Sequence, residues 1–421
     1  MRRSVFSLLV TGASSASAAL QVDFGNSNSV RDAARDVAND VMSYYPGDQP
    51  GETPGLLSKP RTKYYWWSSS VLWSTMADYW WYTSNNTYNN EVVDALVWQN
   101  GYDMSRAGRL AQGVFDTQAE RYDTSTCGGG IRMDIVPSNG DYNIKNTESN
   151  AAFLDLAARL ARYSGNQTYA EWVEKTWTWM TDSGLIDKDF NVFYGLDVDD
   201  CTVNNEQYFS HEAGLLLQGA AYMYNQTTSA TQAVWRTRLE ALTNTTLAIY
   251  FPSGIIVELL CEGPRGCDHR MTFYKGMTLR ALMSVANLAP FLRDQIVRDA
   301  LQPSAEAAVK TCNDGSNGRE CAFRWTGDRG SEKPGAAPIA MNALSALLGM
   351  SIDERYHVPL ATNATKNAAG PLELSDDGGE DGGSDSGSDA RNQGVEDSKS
   401  AAATTHVAVG LMMAAFIAAL V

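Results

Sequence analysis

Several catalytic signatures are missing from this 421-residue chain, and each absence removes a class of chemistry. No Cys-x-x-Cys pair occurs, and His211, His269, His357 and His406 are scattered, so no zinc finger or ribbon assembles from local spacing. Leu215 stands where a His-Glu-x-x-His site beginning at His211-Glu212 needs its second histidine. No serine lies in a Gly-x-Ser-x-Gly elbow, which excludes that serine-hydrolase nucleophile. Gly128-Gly129-Gly130 neither follows a strand nor opens a phosphate motif, which argues against nucleotide binding. Lys and Arg form no cluster and the formal net charge is −16, so no nucleic-acid partner is expected. Strand-like runs are few and short. Neither a metal nor a cofactor is expected.

What is present points to the secretory pathway. Arg2 and Arg3 precede the apolar run Val5–Val10, and Ala16-Ser17-Ala18 offers a cleavage site, so residues 1–18 read as a signal peptide. Asn85, Asn166, Asn225, Asn244 and Asn363 each open an Asn-x-Ser/Thr sequon. Six cysteines fit an oxidising compartment. Proximity in sequence favours Cys261 with Cys267 and Cys312 with Cys321, leaving Cys127 and Cys201 as a long-range staple. Between Ser375 and Asp397 eight acids face one base, Arg391, so residues 354–397 read as an acidic Gly/Ser-rich linker. Residues 398–421 end in the apolar stretch His406–Val421, short for a spanning helix and shaped like a GPI-attachment tail. Asn392 is the preferred attachment residue, Gly394 and Ser388 are alternatives, and a plain tail anchor is the competing reading.

Between these ends the pattern is helix after helix. Phe153, Leu156, Ala157, Leu160 and Ala161 recur at helical spacing until Gly165 stops the run. Thr168 and Glu171 read as a capping box for the next helix. Further helical runs are predicted at Val30–Tyr44, Ser68–Tyr82, Glu91–Gln99, Ala107–Ala119, Glu212–Asn225, Ala230–Leu247, Tyr274–Leu288, Leu292–Lys310 and Pro338–Leu348. No fixed repeat length appears, which argues against a solenoid and for an all-α toroid over residues 19–353.

Trp66 and Trp67 stand at a loop-to-helix junction, where their rings suit either sugar stacking or packing; Trp73 and Trp80 read as core. Gly129 and Gly130 allow close backbone approach to a ligand, or form an ordinary turn. Arg132, Asn146 and Phe209 complete the candidate substrate cleft. Glycosyl cleavage needs paired carboxylates, and Asp199, Asp200 and Glu212 are the weak candidates on offer. Asp199-Asp200 abuts Cys201 in a turn, which suits a solvated or capping role better.

Several motifs stand in a fixed order: Met42-Ser43-Tyr44-Tyr45, Tyr65-Trp66-Trp67, Asp78-Tyr79-Trp80, Ala111-Gln112-Gly113-Val114-Phe115 and Cys127-Gly128-Gly129-Gly130. They continue through the helix Leu156–Asn166, the stretch Gly219–Asn225 and the two short cysteine loops. Taken in order, the set resembles family 76 of the glycoside hydrolases, the endo-α-1,6-mannanases, in its fungal GPI-anchored cell-wall branch. The resemblance implies an (α/α)6 toroid and retaining chemistry on α-1,6-linked mannose. It also implies transfer of GPI-glycan-bearing proteins to wall polysaccharide, with a membrane attachment through the GPI anchor.

The departures carry as much weight. The family sets its catalytic Asp-Asp pair in a segment before the Ala-Gln-x-Val-Phe helix, yet here Asp103-Met104 runs straight into Ser105-Arg106. His211 and Glu212 stand where the family usually has Tyr and Asn. The toroid is therefore expected to lack one or two helices. Removing them wets apolar faces at roughly 25 cal/mol per Å². Two readings remain: a segment dropped by a skipped exon or misjudged intron, or a shortened mannan- or GPI-glycan-binding relative without catalysis.

Overall fold

The computed structural model describes residues 20–57, 66–100, 107–204, 209–263, 266–315, 318–327 and 335–352. The expected signal peptide, acidic linker and attachment tail, with Asn363, Asn392 and the Met104–Ser105 junction, lie outside them. The described chain is mostly helical, as expected for an α/α toroid. In chain order the helices are α1 (Ser27–Met42), α2 (Trp66–Thr83), α3 (Asn89–Asn100), α4 (Ala107–Glu120), α5 (Thr147–Ser164), α6 (Gln167–Asp182), α7 (Ser210–Gln226) and α8 (Ser229–Tyr250). They continue with α9 (Tyr274–Leu288), α10 (Pro290–Ile296), α11 (Gln302–Val309) and α12 (Ala337–Leu348). A single π turn, Val297–Leu301, joins α10 to α11 into the one long run that the apolar pattern predicts.

Two kinds of helix alternate. Helices α5, α7, α9 and α12 are buried nearly all round for most of their length, and α2 for most of its own. Helices α1, α6 and α8 bury one stripe only. A helix apolar on every side belongs inside, and an amphipathic one belongs outside. The inner helices pack in the order α2, α12, α9, α7, α5. Each outer helix lies against the inner ones beside it, as α1 does on α12 and α2.

The alternation fails once. Helices α3 and α4 are both outer helices by their packing, α3 on α2 and α4 on α5, and they follow one another through residues 101–106. Among the described residues no inner helix stands between them. Among the described residues α2 and α5 approach each other across a small polar cavity of about 20 Å³ in the middle of the ring. There Arg280 Nε donates to Asp78 Oδ2 at 2.5 Å, and Arg159 Nε donates to Asp155 Oδ2 at 2.9 Å. Asp78 Oδ1, Asp155 Oδ1 and Arg159 Nη1 are buried there without hydrogen-bond partners.

Local signals explain the helix ends. Asn146 caps α5 by accepting from the Ser149 amide at 3.3 Å, and α5 stops at Gly165 with φ 73°, a left-handed value that suits glycine. The cap of α6 is Asn166, which accepts from the Thr168 amide at 3.0 Å, rather than the predicted Thr168. Asn outranks Thr in this role, and the turn begins two residues earlier. Short strands β1 (Ile144–Asn146), β2 (Gly195–Asp197) and β3 (Val203–Asn204) form an antiparallel sheet in that order. The Cys127–Cys201 disulfide ties this sheet to the glycine loop, while Cys261–Cys267 and Cys312–Cys321 close short loops.

Candidate active-site cleft

The first turns of the inner helices meet at one end of the toroid. Trp67 of α2 packs edge-on against Phe273, just before α9, with ring centroids 5.0 Å apart. Phe209, the residue before α7, lies 4.8 Å from the Tyr274 ring at the start of α9. His211 of α7 stacks on Tyr274 at 3.8 Å and 15°. Its Nε2 lies 3.4 Å from Oε1 of Glu148, in the first turn of α5. Helix starts carry partial positive charge, so an end built from several of them favours acids.

Acids are what gather there. Glu258, fully buried, accepts from the Ser210 amide at 3.1 Å and from the Ser210 hydroxyl. Glu262 accepts from Lys275 Nζ at 2.8 Å, and Lys275 also donates to the Phe323 carbonyl at 2.8 Å. Glu212 is 2% exposed, and its Oε2 has no hydrogen-bond partner. Burial pushes the Glu212 carboxyl well above the usual range, and the charge of Glu148 adds to that. Burial also raises Glu258, against the hydrogen bonds from Ser210. Of these four acids only Glu148 is appreciably exposed, at 28% of its side chain.

The residues singled out from sequence separate into two groups. Trp66 is half exposed, and Trp67, Phe209, His211 and Glu212 share the cleft end. Gly129 and Gly130 instead seat the indole of Trp179: a Cβ on Gly130, at φ 92°, would overlap that ring. Arg132 is held in the loop, with Nη2 3.1 Å from Asp123 Oδ2 and its guanidinium over the Tyr142 ring. Asn146 is the α5 cap just described. Asp199 and Asp200 are exposed in the β2–β3 turn beside Cys201. Trp73 is core, its Nε1 donating to the Gly55 carbonyl at 2.8 Å, whereas Trp80 is half-buried.

Sequence reasoning passed over Glu148, Glu258 and Tyr274. Glu148 reads as an ordinary first-turn acid, and the other two reach the site only through folding. Among the described residues no group of three or more His, Cys, Asp or Glu side chains is placed to hold a metal ion. Nor is any described helix long and apolar enough to cross a membrane.

Residues 29–107 and 108–363 match Glycosyl hydrolase family 76. The chain belongs to glycosyl hydrolase family 76. This family 76 chain is 34% identical over 348 residues to mannan endo-1,6-alpha-mannosidase DCW1 of Saccharomyces cerevisiae, covering 73% of this chain and 76% of that one. The crystal structure of Dfg5 from Chaetomium thermophilum in complex with glucosamine superposes with a TM-score of 0.72 at 34% identity, over 82% of this chain and 97% of that one. An inactive variant of the alpha-1,6-mannanase GH76A of Salegentibacter, with two neighbouring aspartates replaced and alpha-1,6-mannotetrose bound, shares the fold. Its TM-score is 0.60 at 15% identity, over 76% of this chain and 98% of that one.

The family match divides between residues 107 and 108, beside the point where α3 leads into α4 without an inner helix. Within residues 29–363 the only adjacent aspartates are Asp199 and Asp200.

Proposed function

We propose that this chain is a fungal cell-surface protein acting on α-1,6-linked mannose. With the missing inner helix and its acid pair it is a mannan endo-1,6-α-mannosidase or a transferase of GPI-glycan-bearing proteins to wall polysaccharide. As the sequence stands it holds mannan or a GPI-glycan without cleaving it. The observation that carries this reading is the succession of outer helices α3 and α4, at the place where the family match divides. The candidate acids fit no replacement pair: Asp199 and Asp200 are exposed in a turn, and Oε2 of Glu212 is sealed from solvent. Retaining cleavage needs two carboxyl groups about 5–5.5 Å apart and open to the sugar.

The signal peptide, sequons and GPI tail supply the cell-surface setting, with Asn392 as the anchor residue. Asn166 and Asn244 are exposed enough to carry glycans, whereas the Asn225 side-chain nitrogen already donates to the Leu288 carbonyl at 3.1 Å. The test is to sequence the transcript across the codons for Trp98 to Phe115, and to assay the chain with and without any insert. An in-frame insert carrying Asp-Asp that restores reducing-end release from α-1,6-mannan supports the enzyme. Uninterrupted messages, with mannotetraose bound but intact, leave the binding protein. Release of reducing ends by the chain as it stands would sink the reading.

A further inference from the structure

We propose that Glu148, beside His211 of the neighbouring inner helix, is a sugar-binding carboxylate of the cleft that takes a pair of glycan hydroxyls. The inference rests on reading this cleft as a glycan site, and it adds the residues that grip the ligand.

Exposure selects the residue. Four acids gather at this end of the toroid, and three are sealed in: Glu212 at 2%, Glu258 at 0% and Glu262 at 8%. Glu148 keeps 28% of its side chain open, so it is the acid that a ligand can reach. Among the described residues the one basic side chain that approaches it is His211, at 3.4 Å and without a hydrogen bond, so its carboxylate lone pairs are left for an incoming donor. A carboxylate is an acceptor-only group with two oxygens, which matches two sugar hydroxyls donating side by side. Its place in the first turn of α5 stabilises the negative charge without a Lys or Arg.

His211 stands beside that carboxylate without a hydrogen bond to it. Its ring is 1% exposed and stacked on Tyr274, so it has little freedom, and its Nε2 faces Glu148 at 3.4 Å. Three buried polar atoms here lack hydrogen-bond partners, His211 Nδ1, His211 Nε2 and Glu212 Oε2. Unsatisfied groups of that kind are rare in folded proteins and mark places kept for something else. Glu212 lies close enough to Glu148 for the charge of one to oppose ionisation of the other, and its burial favours the proton. Tyr274, on which His211 stacks, is the aromatic ring beside this pair. His211 and Glu212 replace the Tyr and Asn that the family resemblance leads one to expect, so this arrangement belongs to the present chain.

The experiment is calorimetric titration of the purified glycoprotein with α-1,6-mannotetraose and, in parallel, with a β-1,3-glucan tetrasaccharide. Glu148→Gln keeps shape and removes charge. It should weaken the bound sugar on the order of ten-fold or more, the scale of a hydrogen bond to a charged group. His211→Phe keeps the ring stack and removes both nitrogens, and should weaken binding by a similar factor. The double variant should bind no more weakly than Glu148→Gln, because the two residues act as a unit. Where His211→Phe does not fold, His211→Asn is read the same way.

Binding by Glu148→Gln within two-fold of the parent, at an unchanged melting temperature, overturns the proposal. Losses that multiply in the double variant remove His211 as the positioning residue. A parent that binds the glucan but not the mannan overturns the mannan reading, while Glu148→Gln still judges this one on the glucan. A parent that binds neither sugar defeats both.

Discussion

Lys145 provides the most quantitative test of how the glycine loop is held. It is fully buried on β1, and its Nζ donates to the carbonyls of Asp123 at 2.8 Å, Thr126 at 2.6 Å and Gly129 at 2.5 Å. One ammonium thus organises the loop that ends in the glycine turn under Trp179. Replacing Lys145 with Met keeps the length and deletes three donors. Asp123 is not orphaned, since its carboxylate still accepts from Arg132, Ser125 and Thr126. The loss falls on the carbonyls, of which only that of Gly129 lies in a fully buried bond. At about 1–3 kcal/mol for a buried group left unsatisfied, and less for the two part-buried ones, the total is about 3 kcal/mol. That corresponds to a fall in Tm of about 5 °C for a domain of this size. Scanning calorimetry of Lys145→Met measures it, with Lys188→Met as control. Lys188 is 86% exposed beside Asp189, and its loss should leave Tm within about a degree of the parent. A Lys145→Met protein melting within a degree of the parent would refute the idea that this cation holds the loop.

Three further outcomes are expected. Gly130→Ala forces a Cβ into the Trp179 ring at a positive φ, and should cost about 2–5 kcal/mol in a denaturant titration. Glu212→Gln should stabilise the fold at pH 7. The native carboxyl is raised, so the parent's stability is greatest below the unfolded-state value and declines as pH rises toward the folded one. The advantage of Glu212→Gln should shrink as pH falls to 4.5, and melting curves at several pH values would show the opposite trend if Glu212 were ionised in the native state. Replacing Asp199 and Asp200 together with Asn should leave Tm within about a degree and sugar binding unchanged, because both are exposed; a ten-fold loss of binding would return them to the site.

The helices were legible because inner and outer helices alike repeat apolar residues at helical spacing, and every predicted run has a counterpart. Which helices are inner was not. That distinction depends on burial over the full circumference, and the alanine- and leucine-rich pattern of α12 looks the same in isolation whichever side it faces. The α6 cap was misassigned because Thr168 with Glu171 matches a strong local pattern, while Asn166 acts from two positions earlier. Of the site, Trp67, Phe209, His211 and Glu212 were visible as unusual residues at helix starts. Glu148, Glu258 and Tyr274 are brought to them from separate elements, and no local spacing encodes that meeting. Gly129 and Gly130 show the reverse error: their freedom serves an indole of the protein itself.

The outer-to-outer step from α3 to α4 has a mechanical consequence. A closed ring shares the cost of any local opening among all its members, while an arc concentrates it at its two ends. In this chain α2 and α5 are those ends, and α9 sits midway round the arc. Amide protons should therefore exchange slowest in α9 and progressively faster toward α2 on one side and α5 on the other. Restoring the absent helix would level that gradient, so the exchange profile reports whether the ring is complete without reference to any substrate.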